Sequence, residues 1–319
     1  MKVTLHALSF GILGLFVGVG CVADEADVSS TESAIKGTHK AFVGKRLENK
    51  VSVYDQDGAF LGDMTGAGLS LPFGLHVEDD DVYVVSQATN SVFAHIHHHG
   101  EDAAERLQLV ELVPSTAGLA TPFYPTVERG VLYVSSGGTN QVLRFDAKTG
   151  ASLGVFAAGN GLAQPRGVDF DSDGNLYVSS YLSNQVKVYD RHGAFVKDLA
   201  SITSPCGVTI NDDDVICVGS AAAPGVGGLR CYLPDGTQVY AGPTEGPVCG
   251  VDWGPDGRVY PTRPNINIVQ AHDIETGEIE TFVSAPESPG PSNIAGVSWG
   301  VPERDCGGGH GHGGGHGHH

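Results

Sequence analysis

Basic side chains are scarce in this chain. Of its 319 residues 18 are Lys or Arg and 37 are Asp or Glu, a formal charge of −19. Phosphate recognition needs a basic footprint, so this balance argues against a nucleic-acid partner. Trp and Met occur twice each and charged residues make up 17% of the chain, yet 40% is hydrophobic, enough to build a core. Long apolar runs are lacking as well. The uncharged stretch from Ala7 to Gly20 falls short of the about 20 residues that a bilayer span needs, and the other apolar runs are shorter than long helices require. Gly (46 residues) and Pro (17 residues) are abundant instead. Short apolar runs between Gly and Pro are what many strands joined by turns require, so the first expectation is an all-β protein.

The two ends are expected to stand outside the fold. Residues 1–20 combine a basic start with an apolar stretch and read as an export signal. Gly18-Val19-Gly20-Cys21 resembles a bacterial lipobox, which implies a lipid on Cys21 and a chain held at the cell envelope rather than freely secreted. The match departs at Gly18, where a large aliphatic residue is usual, and simple cleavage near Ala23 is the alternative. Residues 21–38 are small, polar and acidic, as in a solvated tether. Residues 304–319 form a Gly/His-rich tail, expected to be disordered. Its imidazoles at His310, His312, His316, His318 and His319 suit Zn, Ni or Cu, or else serve only to keep the tail soluble.

Between these ends, over residues 39–303, the chain repeats itself. Leu176 to Gly193 aligns without a gap on Ala41 to Gly58 at an offset of 135, with Asn184-Gln-Val-Lys-Val-Tyr189-Asp matching Asn49-Lys-Val-Ser-Val-Tyr54-Asp. Further copies begin at Leu132 and Val82. A second landmark precedes these hairpins: Pro72-Phe-Gly, Pro122-Phe-Tyr, Pro165-Arg-Gly, Pro205-Cys-Gly, Pro247-Val-Cys-Gly and Asn293-Ile-Ala-Gly. The Gly-equivalent positions 74, 124, 167, 207, 250 and 296 lie 50, 43, 40, 43 and 46 residues apart, the size of a four-stranded propeller blade. With the strands of each blade named A to D, and the Pro-x-Gly strand as A, the sixth A strand at Val297–Trp299 lacks B, C and D. Residues 41–64 supply that set without an A. Joining the two ends closes a six-bladed β-propeller and removes its exposed edges. The units resemble NHL repeats: a Pro-x-Gly-Val strand, an Asp/Gly turn, a Leu-Tyr-Val strand, an Asn turn and a Val-x-Val/Phe-Asp strand. The match is strongest in blades 2 and 3 and weakest where Ala221 to Gly228 replace the turn of blade 4. The resemblance implies a six-bladed fold; such propellers include binding scaffolds and a few enzymes.

Loops of a propeller alternate between faces. The D–A and B–C loops share one face, here the top, and the A–B and C–D turns share the other. Bottom turns hold Asp55, Asp57, Asp171, Asp173, Asp212 to Asp214, Asp235 and Asp256. Asp169 to Gly174 begins like a calcium loop, but its twelfth position is Ser180, and a hairpin turn is the expectation. Top loops bring Lys45, Arg46, Arg166 and Arg263 near Phe73, Phe123, Tyr124 and Tyr181. Such a mouth suits an anionic or carbohydrate-like ligand, or else its arginines pair with Glu48, Glu245 or Glu287.

Six cysteines fit an exported chain. Aligning blade 4 on blade 3 sets Cys217 opposite Cys231, close enough for a disulfide. Cys206 and Cys249 precede the A-strand Gly in adjacent blades, and either pair or stay as separate buried thiols. His95, His97, His98 and His99 cluster at the lower rim of blade 1 and offer a transition-metal site with the tail, or an exposed polar turn.

Zinc-dependent propellers of similar fold set several His ligands at the channel, whereas here His76 is the only His on an A strand. The equivalent residues are Thr126, Asp169, Thr209, Asp252 and Ser298. No nucleophile or phosphate-loop motif appears. The first expectation is thus a non-catalytic scaffold binding a protein or small ligand at its top face; the alternative is a metal-dependent lyase or hydrolase at the channel mouth.

Overall fold

A computed structural model describes residues 39–78, 81–97, 108–243, 245–284 and 294–300. The segments expected to be export signal, tether and tail, with Cys21, lie outside them. The described residues form 24 strands in six four-stranded antiparallel sheets, each a meander whose A strand is innermost. The A strands are Pro72–Glu78, Pro122–Glu128, Pro165–Phe170, Pro205–Ile210, Val251–Trp253 and Ile294–Gly300. Each packs on the A strand of the next blade, and the last on the first, so the sheets close a six-bladed β-propeller. The closing seam is the expected one: Ile294–Gly300 pairs with Lys40–Lys45, Trp299 opposite Ala41, and Lys50–Asp55 and Phe60–Met64 complete that blade.

The core lies between sheets rather than inside any one of them. Val85, Val92 and Ala94 of blade 1 pack on Val127, Leu132, Val134 and Phe145 of blade 2, because alternate residues on both faces of each inner strand meet a neighbouring blade. Outer strands bury one face only, which leaves Val110, Val155, Val196 and Val239 exposed.

Two repeated residues have structural causes. Asn49, Asn90, Asn140 and Asn184 sit in the B–C turns with φ of 54°, 54°, 56° and 57°, a left-handed conformation that Asn tolerates. Each side-chain oxygen also accepts an N–H from the D–A loop of the next blade, from Leu71, Thr121, Gln164 and Ser204 at 2.9, 2.7, 2.8 and 2.8 Å. One residue type therefore shapes the turn and latches two blades together. The A-strand Gly answers a different demand. A Cβ on Gly167, Gly207, Gly250 or Gly296 would lie 2.5, 2.3, 2.5 or 2.6 Å from the carbonyl oxygen of Cys206, Cys249, Ala295 or Phe73 in the next blade. Only Gly lets the inner strands approach this closely around the axis.

Blade 4 carries the expected disulfide. Ile216–Ser220 and Gly228–Tyr232 pair with Cys217 opposite Cys231, and the two sulfurs are bonded. Cys206 and Cys249 are separate buried thiols, so the expectation of a second disulfide gives way to its alternative. Asp171 accepts the N–H of Asn175 at 2.7 Å, and Asp214 takes the N–H and hydroxyl of Ser172 at 2.8 and 2.7 Å. These bottom-face carboxylates are turn acceptors.

Candidate functional site: two cavities on the propeller axis

Each A strand presents two side chains to the axis. The residue before the Gly position lines the top half in five blades, as Phe73, Phe123, Arg166, Cys249 and Ala295, and in blade 4 is the fully buried Cys206. The second residue after the Gly position points into the bottom half: His76, Thr126, Asp169, Thr209, Asp252 and Ser298. Two cavities result. The lower one, about 660 Å³, is lined by the second ring together with Asp212, Asp213, Trp253 and Trp299. The upper one, about 380 Å³, is lined by Phe73, Phe123, Arg166, Cys249 and Ala295 of the first ring, and by Arg46, Gln87, Thr121 and Pro264 from the top loops.

Tyr124 separates them. It stands where the other blades have Gly, and its side chain crosses the axis. Its ring meets Phe73 edge to face at 5.5 Å, and its hydroxyl donates to the carbonyl of Ala295 at 3.2 Å. Room for it depends on Gly74, whose Cβ would lie 2.4 Å from the Tyr124 ring. Tyr124 is thus a partition inside the channel, facing the lower cavity, rather than an aromatic of the outer mouth.

Arg166 and Arg46 form the basic part of the upper cavity. The Arg166 guanidinium lies between Phe123 and Tyr181, at 4.7 and 3.4 Å from their ring centres, and Arg46 lies 5.3 Å from the centre of Phe73. Arg46 donates to Gln87 at 2.7 Å; Arg166 donates to Cys206 at 3.6 Å and to Gln164 at 3.5 Å. Neither has a carboxylate partner among the described residues, and each keeps a buried Nε without an acceptor there. Arg263 behaves otherwise. It is buried and pairs with Glu245 at 3.0 Å. Lys45 is buried over the Tyr54 ring, lines neither cavity, and has its pKa lowered chiefly by burial. The upper cavity therefore unites Arg46, Phe73, Phe123 and Arg166, with Tyr181 behind Arg166, and leaves out Lys45 and Arg263. Sequence reasoning did not place Gln87, Thr121, Pro264, Ala295 or Cys249 there; the position before each Gly was the signal that would have found the last two.

The lower ring carries titratable groups under strong desolvation. Burial lowers the His76 pKa to about 4. Burial, joined by the charge of Asp252, raises Asp169 to about 7, and burial raises Asp252 to about 6. Both carboxylates are committed to the fold. Asp169 accepts the N–H of Phe170 at 2.9 Å and of Ile210 in blade 4 at 2.7 Å; Asp252 accepts those of Trp253 and of Trp299 in blade 6, each at 2.9 Å. Ser298 takes the Val77 N–H in the same way at 3.1 Å. The ring is thus a set of inter-blade latches, in which Ser can stand where Asp does.

This arrangement gives a pH signature. Asp169 and Asp252 bind more protons folded than unfolded between about pH 4 and their folded values, so their contribution to stability falls as pH rises through that window. His76 has the opposite sign, its contribution rising from about pH 4 towards 6.5. Comparing Asp169→Ser/Asp252→Ser with the unaltered chain isolates the carboxylates. The difference in melting temperature (variant minus unaltered chain) is expected to be more positive at pH 8 than at pH 5, by about 5 °C or more. A pH-independent difference in thermal melts would contradict it.

The rim histidines are only partly described. His95 ends a strand, buried, with its ring centre 6.5 Å from that of His97. His98, His99 and the tail histidines lie outside the described residues, among which no group of three or more His, Cys, Asp or Glu is placed to hold a metal ion.

No family model matches this chain, and no curated protein matches it. Solved structures do. A chain of the nidogen/laminin complex matches at TM-score 0.67 and 17% identity, over 83% of this chain and 99% of that one. A streptogramin B lyase matches at TM-score 0.53 and 17% identity, over 68% and 70%. The virginiamycin B lyase from Staphylococcus aureus matches at TM-score 0.50 and 16% identity, over 68% and 71%. At these identities the likeness is one of fold: the chain shares the propeller architecture of a protein-complex component and of two lyases.

Proposed function

We propose that this chain is an exported, non-catalytic binding propeller, NHL-like in its repeat, that receives an anionic group of a small ligand or protein partner in its upper cavity. The observation that carries this reading is the pair Arg46 and Arg166. Both guanidinium groups are stacked on aromatic rings at the wall of one cavity, and neither has a carboxylate partner among the described residues. A partly buried guanidinium without a carboxylate partner is arranged to take an anion, and carboxylate or phosphate fits its planar fork.

The Cys217–Cys231 disulfide supports export to an oxidising compartment, and the sequence around Cys21 supports a lipid tether at the envelope. Residues 1–20, 21–38, 39–303 and 304–319 then serve as signal, tether, propeller and tail. The tail, with His95 and His97 to His99, is the place where Zn, Ni or Cu would bind. The alternative, a metal-dependent lyase or hydrolase at the channel, has the solved lyase propellers as its fold analogy. The use of Asp169 and Asp252 as acceptors for backbone N–H groups supports the scaffold instead.

Citrate and inorganic phosphate are suitable probes. Calorimetric titration is expected to show binding of at least one of them, weakened about tenfold or more in Arg46→Ala/Arg166→Ala and unchanged in Arg263→Ala. Equal affinity in all three chains would remove the reading. Metal analysis of untagged full-length protein and of a chain stopped at Cys306 separates the alternatives: stoichiometric metal surviving in the shorter chain would favour the enzyme.

A further inference from the structure

Cys206 and Cys249 occupy the same ring position in neighbouring blades. Their strands meet so closely that the Gly207 N–H donates to the Cys249 carbonyl at 2.8 Å, with no room for a Cβ on Gly207. The two thiols therefore stand side by side and share a hydrogen bond. Cys206 is fully buried behind Cys249, and Cys249 lines the upper cavity. The sulfur of Cys206 is also 3.6 Å from Nη1 of Arg166. No carboxylate among the described residues touches either thiol in this arrangement.

Donors on one sulfur only make the pair asymmetric. Burial raises the pKa of an isolated thiol, but the hydrogen bond from Cys249 and the charge and hydrogen bond of Arg166 bring Cys206 below the ordinary value. Cys249 is raised, chiefly because it donates to Cys206. Negative charge is thereby favoured on the inner sulfur, and the proton on the sulfur that faces the cavity.

We propose that Cys206 and Cys249 are a redox-active dithiol that exchanges with small-molecule disulfides entering the upper cavity. In the first step the Cys206 thiolate takes the Cys249 proton across their hydrogen bond. Cys249 Sγ attacks one sulfur of the disulfide R–S–S–R; its S–S bond breaks, a Cys249–S–S–R bond forms, and RS⁻ leaves with the proton now on Cys206, as RSH. In the second step the Cys206 thiolate attacks Cys249 Sγ, the mixed disulfide breaks, and the second RS⁻ leaves, taking a proton from solvent. The protein loses two electrons and the disulfide gains them as two thiols.

Oxidation also removes the thiolate that faces Arg166. In this respect the inference rests on the anion reading of the same cavity: the oxidised chain is expected to bind citrate about tenfold more tightly than the reduced one.

The test uses the folded full-length chain, reduced and then equilibrated with 2-hydroxyethyl disulfide, alkylated with iodoacetamide under denaturing conditions and mapped by peptide mass. A Cys206–Cys249 cross-link is expected in the unaltered chain. Cys206→Ser is expected to stop at a hydroxyethylthio adduct on Cys249, and Cys249→Ser to give neither product. No cross-link in the unaltered chain together with no Cys249 adduct in Cys206→Ser, both folded by circular dichroism, would overturn the dithiol. A cross-link with measurable citrate affinity equal in both redox states would overturn the coupling to Arg166. Failure of citrate to bind either state tells against the anion reading alone, because the cross-link is read without it.

Discussion

Gly167→Ala is expected to cost about 4 kcal/mol or more of stability, at the extreme of what one added methyl does in a packed interior. The new Cβ would lie 2.3 Å from the Val208 nitrogen and 2.5 Å from the Cys206 carbonyl oxygen. Both are backbone atoms of the next inner strand, held in ladders on its far side, so no rotamer change relieves the clash. Relief requires two blades to move apart, and a closed ring transmits that movement to the remaining seams. Gly44→Ala is the matched control. Its Cβ comes no nearer than 3.4 Å to the Phe73 carbonyl oxygen, and a change within about 1 kcal/mol is expected. Urea unfolding of both variants checks the contrast; similar midpoints would show that close approach of the inner strands is not what the repeated Gly provides.

Tyr124→Gly is the second large effect, because it restores the residue type of the other five blades and still destabilises. The variant loses a buried aromatic side chain that contacts Phe73 and reaches Ala295 on the far side of the axis. Truncation of a buried aromatic costs about 3–5 kcal/mol, and the axis cannot collapse while six blades hold it open. The upper and lower cavities are expected to join into one water-filled passage in a crystal structure of the variant. A loss below about 1 kcal/mol with the passage still closed would mean that Tyr124 is not the partition.

The repeat was legible because both of its landmarks answer backbone demands. A Gly is needed where an inner strand closely meets the next, and an Asn where a left-handed turn must also hold a neighbouring loop; such demands recur in most blades, with Tyr124 of blade 2 and the Ala221 to Gly228 loop of blade 4 as exceptions, and leave a periodic trace. The Cys217–Cys231 bond followed from the same register. The top mouth was legible only by face. Loop alternation puts Arg166 and Arg263 on one side of the disc, but Arg263 is drawn to Glu245, a partner in another loop, while Arg166 is drawn between Phe123 and Tyr181. Register shows that Tyr124 replaces a Gly and not that its ring crosses the axis. Asp169 and Asp252 could be placed on the channel, but their bonds to Ile210 and Trp299 depend on how blades rotate against each other, which no local pattern encodes.

Anomalous scattering from selenate, a tetrahedral oxyanion, in crystals of the full-length protein tests the central claim most directly. The expected result is a selenium peak in the upper cavity between the guanidinium groups of Arg46 and Arg166, absent from Arg46→Ala/Arg166→Ala. Selenium found only elsewhere on the molecule, with that cavity empty, would contradict the account.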